Sequence, residues 1–357
     1  MAVLPLLADP AGYQACDWDL SNDPAGREHW IDEFRKHADS MLAYAAARRN
    51  PPPAEQTAAM RQAFFAGLDH LRRRPNARGR LDVLSLCALR DEFLLQFHIG
   101  DPYVDVKAAE NHAALVLYPD VVRRLDDVPA DRRVEALLVG MVAGNRFDLG
   151  SPVTAREYAA GGMDFFAELA RVKPQPWWRD DVDALAERLD PARPAYRKAI
   201  IFADNAGADA VLGVLPFARH LASLGVRVVV AATDHFALND ITRADLDRVL
   251  AEAAGMDAVL AGQLKSGRLT TVGTGHTHPL IDLADVSDEC AAAAADCDFV
   301  VLEGMGRAVE SNWQAAFRCD SLRVAMIKNV SVARHYGCEL FDLVCRLEPG
   351  QGQPVAS

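Results

Sequence analysis

From Lys198 onward the chain carries short, uninterrupted apolar runs, KAIIFADN, VRVVVAA, LTTVGTG, DFVVLEG, RVAMIKN and a last one around 340–347, separated by amphipathic stretches of helical length. This pattern constrains the fold more than any other feature. Continuous β-branched runs, unlike alternating ones, read as strands buried on both faces, and strands separated by helices read as parallel neighbours joined by crossovers. The expectation is an α/β fold built on a doubly wound, mostly parallel, Rossmann-like sheet.

The part before that sheet reads as helical. Apolar residues recur at helix spacing in Trp30, Ile31, Phe34, Met41 and Leu42, and again in Met60, Phe64, Phe65, Leu68 and Leu71. Asn50-Pro51-Pro52-Pro53 and Arg74-Pro75-Asn76-Ala77-Arg78-Gly79 interrupt them as turns, and a further helix is expected over 134–142, stopping near Gly144. Residues 189–197, with Pro191 and Pro194, form the expected joint. The organisation read from this is an all-helical N-terminal domain over 1–190, its stripes packed as a bundle, and an α/β domain over 191–357.

Composition narrows the function. The formal charge is −12 and no lysine- or arginine-rich block is present, which argues against nucleic acid as a partner. No apolar run reaches membrane-spanning length, and MAVLPLLADPAG lacks a basic leader, so neither a membrane span nor a secretory signal is expected. Cys16, Cys87, Cys290, Cys297, Cys319, Cys338 and Cys345 are scattered and never spaced CxxC. They fit reduced thiols in a cytoplasmic protein better than a disulfide or zinc framework.

In open parallel sheets, ligands bind beyond the carboxyl ends of the strands. The runs end in, or lead to, Asp204-Asn205-Ala206-Gly207, Asn239-Asp240, Thr274-Gly275, Glu303-Gly304-Met305-Gly306-Arg307 and Lys328-Asn329. Asp204, Asn205 and Asp240 offer the oxygen ligands that a hard divalent cation prefers, while Arg307 and Lys328 can neutralise a phosphate. In outline this is a phosphoryl-transfer or phosphate-ester site. Plainer readings exist for each part. Asp-Asn after a strand often caps a helix, Thr242 with Asp245 resembles a capping box, Gly304 and Gly306 serve a tight turn, and a single lysine is usually solvated. Their coincidence on consecutive strand ends is what favours a site. His276-Thr277-His278 has a metal-compatible spacing but no obvious further ligand. GxSxG, HExxH and P-loop patterns are absent, Gly304-Met305-Gly306 lacks the third glycine of a dinucleotide fingerprint, and no DxD follows the first run. Serine hydrolase, zincin, nicotinamide oxidoreductase and haloacid-dehalogenase readings therefore lose support.

The strings IIFADNAGAD, FALNDIT, TGHTHPLIDL and LEGMGRAVESNWQAAFRCDSLRVAMIKN resemble the metal-dependent damage-control phosphatases. So do RDEF, DPYVDVKAAEN and GNRFDLGS in the helical half. The similarity is closest to subfamily II, whose signature is the Glu-Gly-Met-Gly-Arg string at 303–307, and it runs from about 81 to 347. It departs from the family pattern at His276-Thr277-His278. The resemblance implies a metal (Mn²⁺, Co²⁺, Ni²⁺ or Mg²⁺) held by Asp204, Asn205 and Asp240. It also implies hydrolysis of small phosphorylated metabolites such as phosphopantetheine and its oxidised forms. On that reading Asp204, Asp240 and Lys328 are catalytic, and Asn145, Asn239, Glu303, Gly304, Met305, Gly306 and Arg307, with Lys328, meet the substrate. Either Asp204 attacks phosphorus, giving an aspartyl-phosphate, or it holds the metal while water attacks. Asn145 and Asp148 are candidates for a lid or substrate wall. The alternatives from other classes are a non-catalytic phosphometabolite sensor and an isomerase or lyase of phosphorylated sugars.

Overall fold

Each apolar run of the second half forms a strand: β2 (Lys198–Phe202), β3 (Arg227–Ala232), β4 (Leu269–Gly273), β5 (Phe299–Glu303), β6 (Asp320–Met326) and β7 (Leu343–Glu348). The structure, a computed structural model, describes residues 1–146 and 164–351. A two-residue strand from before the joint, β1 (Arg179–Asp180), pairs in parallel with β7 at the outer edge. The sheet order is β1-β7-β6-β5-β2-β3-β4, and all neighbours are parallel except β6 and β7. The chain lays β2, β3 and β4 outward in one direction, then returns to place β5 and β6 on the other side of β2. This reversal opens a crevice beyond the carboxyl ends of β2 and β5.

The first half supplies α1 (Pro24–Ala47), α2 (Ala54–Arg73), α3 (Val83–Gln96), α4 (Val104–Asp127) and α5 (Ala130–Asn145), then α6 (Phe165–Arg171) and α7 (Val182–Arg188). After β2 come a π-helical segment, Asp209–Val214, and α8 (Leu215–Ser223). Next are α9 (Arg243–Ala254), α10 (Ala258–Lys265) and α11 (Asp288–Ala294), a second π-helical segment, Met305–Glu310, and α12 (Val330–Tyr336). Asp23 caps α1 by accepting from Gly26 N at 2.9 Å, and Thr242 caps α9 by accepting from Asp245 N at 3.1 Å.

Side chains alternate along a strand, so the sheet feeds two cores. Ile200, Phe202, Val229 and Val300 join Phe34, Met41, Phe64 and Leu86 of α1–α3 in one. Ile201, Val228, Val230 and Val301 join Leu115, Leu138, Met141 and Phe217 of α4, α5 and α8 in the other. The helices of the first half thus cover both faces of the sheet, and each core draws on residues from both sides of position 190. No described helix is long and apolar enough to cross a membrane, and all seven cysteines are free thiols.

Candidate active site

Two loops are knitted together first. Asn205 and Asp240 form an isolated antiparallel bridge, Ile241 N donates to Asp204 O at 3.0 Å, and Ala206 N donates to Asn239 O at 2.9 Å. The Asn239 side chain adds a bond from Nδ2 to Asn205 Oδ1 at 2.7 Å. Lys328 arrives from the end of β6, its Nζ donating to the Asn145 carbonyl at 2.8 Å. Glu303 ends β5, and Gly304 turns the chain into the second π-helical segment, a geometry that recurs at functional sites. Gly304 has φ +90°, and a Cβ there would lie 2.1 Å from Asp204 Oδ2. Only glycine allows both the turn and the carboxylate. At Gly144 a Cβ would lie 2.9 Å from Ala208 O, so the missing side chain lets the end of α5 press against the loop beyond β2 and bring Asn145 inside.

The buried electrostatics centre on Asp204. The fully buried Arg307 guanidinium donates to Asp204 Oδ1 and, at 2.5 Å, to Asp240 Oδ2. Asn145 Nδ2 lies 3.1 Å from Asp204 Oδ2, 2.8 Å from Asp209 Oδ2 and 3.0 Å from Glu303 Oε1. Asn205 Nδ2 reaches Asp204 Oδ2 and Asp209 Oδ2, each at 3.0 Å, and Asp204 N donates to Glu303 Oε2 at 3.0 Å. Oxygens of Asp204, Asp209 and Glu303 come within 4.8 Å of one another. Burial first, then the neighbouring carboxylates, push the Glu303 and Asp209 carboxyls well above the usual carboxylate range. Removal from water and mutual repulsion both disfavour a second and third negative charge here.

This donor set fits a metal. It consists of oxygens only, as hard divalent cations prefer. Asp209 Oδ1 and Asn145 Oδ1 are buried with no hydrogen-bond partner among the described residues. The buried acidic cluster of Asp204, Asp209 and Glu303 is therefore able to hold a cation; Asp204 belongs to it and also to the expected set with Asn205 and Asp240.

Asp204, Asn205, Asn239, Asp240 and Lys328 line one wall of an open cleft of about 820 Å³, together with Met305 and Gly306. Asn145, Glu303, Gly304 and Arg307 are not among the described residues that line it; they contact Asp204, which does. Arg307, expected to clamp phosphate, is engaged by two carboxylates because a buried guanidinium binds the nearest anions. Asn145, expected as a lid, is the buried last residue of α5, and Asp148 lies outside the described residues. Thr274 and Gly275 follow the edge strand β4 and are not among the described residues that line the cleft. His276 and His278 are tied to their own loop, through Nε2 to Asp282 O at 3.1 Å and Nδ1 to Leu280 O at 2.6 Å. Burial pushes them down to about 3 and about 4, so both rings are neutral and shape the loop that brings Pro279 and Leu280 to the cleft.

Several contributors were not visible in the sequence. Lys107 and Asn111, four residues apart on α4, reach the site loops: Lys107 Nζ donates to Asp240 O at 3.4 Å and Asn111 Oδ1 accepts from Gly207 N at 2.7 Å. Their spacing within DPYVDVKAAEN, which puts both on one helix face, was the available signal. Asp209, at the end of IIFADNAGAD, and Arg90, at the start of RDEF, lay inside strings that mark the family but had no role of their own in the sequence, and Trp30 and Phe34 read only as part of a helix stripe.

The damage-control phosphatase ARMT1-like domain family matches residues 29–344 of the chain. The chain is 37% identical to damage-control phosphatase At2g17340 of Arabidopsis thaliana, over 98% of each protein. It is also 37% identical to pantothenate kinase 2 of the same plant, over 98% of this chain but 42% of that one. Identity to the 4'-phosphopantetheine phosphatase of Mus musculus is 32%, over 97% of this chain and 48% of that one. The chain thus spans less than half the length of these last two relatives. Among solved structures, a DUF89 family protein from Pyrococcus horikoshii superposes with a TM-score of 0.62 at 16% identity, covering 89% of this chain and 96% of that chain, a likeness of fold.

Proposed function

Because the chain belongs to the damage-control phosphatase ARMT1-like family, we propose that it is a metal-dependent phosphatase of small phosphate monoesters, with phosphopantetheine and its oxidised forms as candidate substrates. The observation that carries this reading is the convergence of Asp204, Asn205, Asp240 and Lys328 on one cleft wall. Arg307 offsets one of the two negative charges of Asp204 and Asp240, so a phosphate dianion brought to them calls for further cations between. Lys328 is one such cation, and a divalent ion held by Asp204, Asn205 and Asp240 is the other. Mn²⁺, Co²⁺, Ni²⁺ and Mg²⁺ all accept oxygen donors of this kind. When bound, such an ion supplies Lewis-acid stabilisation of charge on the phosphoryl oxygens.

The chain's own groups do the rest. Lys328, held by the Asn145 carbonyl, meets the phosphoryl oxygens with a fixed positive charge. Asn239 fixes Asn205, and the backbone beside Met305 and Gly306 borders the same wall. Arg307, Asn145 and Glu303 support the site through Asp204. Both oxygens of Asp204 already accept hydrogen bonds, Oδ1 from Arg307 and Oδ2 from Asn205 and Asn145. That engagement favours water as the nucleophile in an in-line displacement over attack by Asp204 itself. We read residues 1–190 as the part that closes the cleft from outside and 191–357 as the part that carries the chemistry. The acidic balance and free thiols fit a cytoplasmic enzyme of small phosphorylated metabolites, with neither nucleic acid nor membrane as partner.

The test is release of inorganic phosphate from phosphopantetheine, its oxidised forms and a panel of other monoesters, after chelation and after each ion is restored. Turnover that needs metal, and that falls by about a hundredfold or more in a folded Asp204→Ala variant, is expected. Binding of a phosphorylated ligand without release under any metal would replace the enzyme with a sensor module. Product formed without free phosphate would point to an isomerase or lyase.

A further inference from the structure

The cleft has a flank that the chemistry above does not use. Trp30 and Phe34 of α1, Val83 and Cys87 of α3, and Leu238 and Leu280 give it apolar surface, with Glu33 and His37 of α1 and Glu310 as its polar members. Arg90 of α3 lines the same cleft and is 2% exposed. Its Nε donates to Asp91 Oδ1 at 2.8 Å, and the guanidinium carbon lies 5.9 Å from the centre of the Phe34 ring. Nη2 is buried and has no hydrogen-bond partner among the described residues.

An unmatched buried donor is unfavourable, and a guanidinium holds its donors in a rigid fork, so a ligand acceptor that completes the fork is well rewarded. Asp91 already balances the positive charge. The remaining donor therefore suits a neutral carbonyl oxygen better than a second anion, and the apolar flank suits the methylene part of an extended arm. Resting on the phosphatase reading, we propose that Arg90 is a specificity-determining residue. It donates to a carbonyl oxygen on the arm of the phosphate monoester while α1 and α3 pack the rest of that arm.

The probes are alkyl phosphates of one length, a series with an amide moved stepwise along the chain and an all-methylene reference, assayed for kcat/KM with the full chain. The matching non-hydrolysable phosphonates are titrated by calorimetry. The native enzyme is expected to prefer the best-placed amide by about tenfold or more, through KM. Arg90→Lys keeps the charge against Asp91 and removes the fork. Arg90→Met combined with Asp91→Asn removes both charges, so no lone buried ion remains. Both are expected to bring the amide-to-methylene ratio toward one. A native enzyme indifferent to the amide at every position overturns the proposal. So do folded variants that lose melting temperature while keeping the native ratio. If no ester is hydrolysed but the phosphonates bind with the amide preference, the phosphatase reading fails and the Arg90 contact stands.

Discussion

Gly304 shows how a single missing side chain sets the site. Gly304→Ala must strain a left-handed backbone and displace the Asp204 carboxylate, whose Oδ2 lies 2.1 Å from the new Cβ position. We expect kcat to fall by about a hundredfold, with stability lower by about 1–3 kcal/mol, read from turnover and urea unfolding. Arg307 tests the electrostatics. Arg307→Met leaves Asp204 and Asp240 buried without their shared cation and is expected to cost about 3–5 kcal/mol in urea unfolding, whereas an unchanged midpoint would mean the pairs do not form in solution. The histidines give a pH dependence. Burial, the main cause, pushes His276 to about 3 and His278 to about 4 from an ordinary value of 6.5. The folded state thus binds fewer protons than the unfolded one between those values. Their contribution to stability is complete above about pH 6.5 and is lost as pH falls through about 4 for His278 and about 3 for His276. Melting temperature should drop over that window less steeply in a His276→Gln, His278→Gln variant than in the native chain.

At the scale of elements, α4 acts on the site from outside the sheet. Asn111→Ala leaves Gly207 N without its acceptor and loosens the loop that carries Asp204 and Asn205. The expected result is a ten- to hundredfold loss of turnover or metal affinity, about the usual effect of a residue that orients a ligand, while helix content by circular dichroism is retained. The strands were legible because apolar β-branched runs are contiguous, and so was the Thr242 cap of α9, because its partner is three residues away. The π-helical segments at Asp209–Val214 and Met305–Glu310 were not, since their extra residue per turn follows from packing against α5 and from the turn at Gly304.

For the whole molecule, the two shared cores make a direct prediction about the halves. Residues 191–357 expressed alone would leave Ile200, Phe202, Val229 and Val300 without the helices that cover them. Such a fragment is expected to aggregate or lack a cooperative melt, and a soluble fragment with a sharp transition would show instead that the α/β part is autonomous. The sequence by itself determined the α/β class, the strand ends, and the oxygen-rich pair of loops at Asp204-Asn205 and Asn239-Asp240, because those signals are local. Only the tertiary structure decided that Arg307 pairs with Asp204 and Asp240 and that Lys328 reaches the end of α5, 183 positions away. It also brought Trp30, Phe34 and Arg90 into one cleft with the Asp204-Asn205 and Asn239-Asp240 loops. Those choices depend on which buried charges find one another and which helix covers which face of the sheet, and no run of neighbouring residues encodes either.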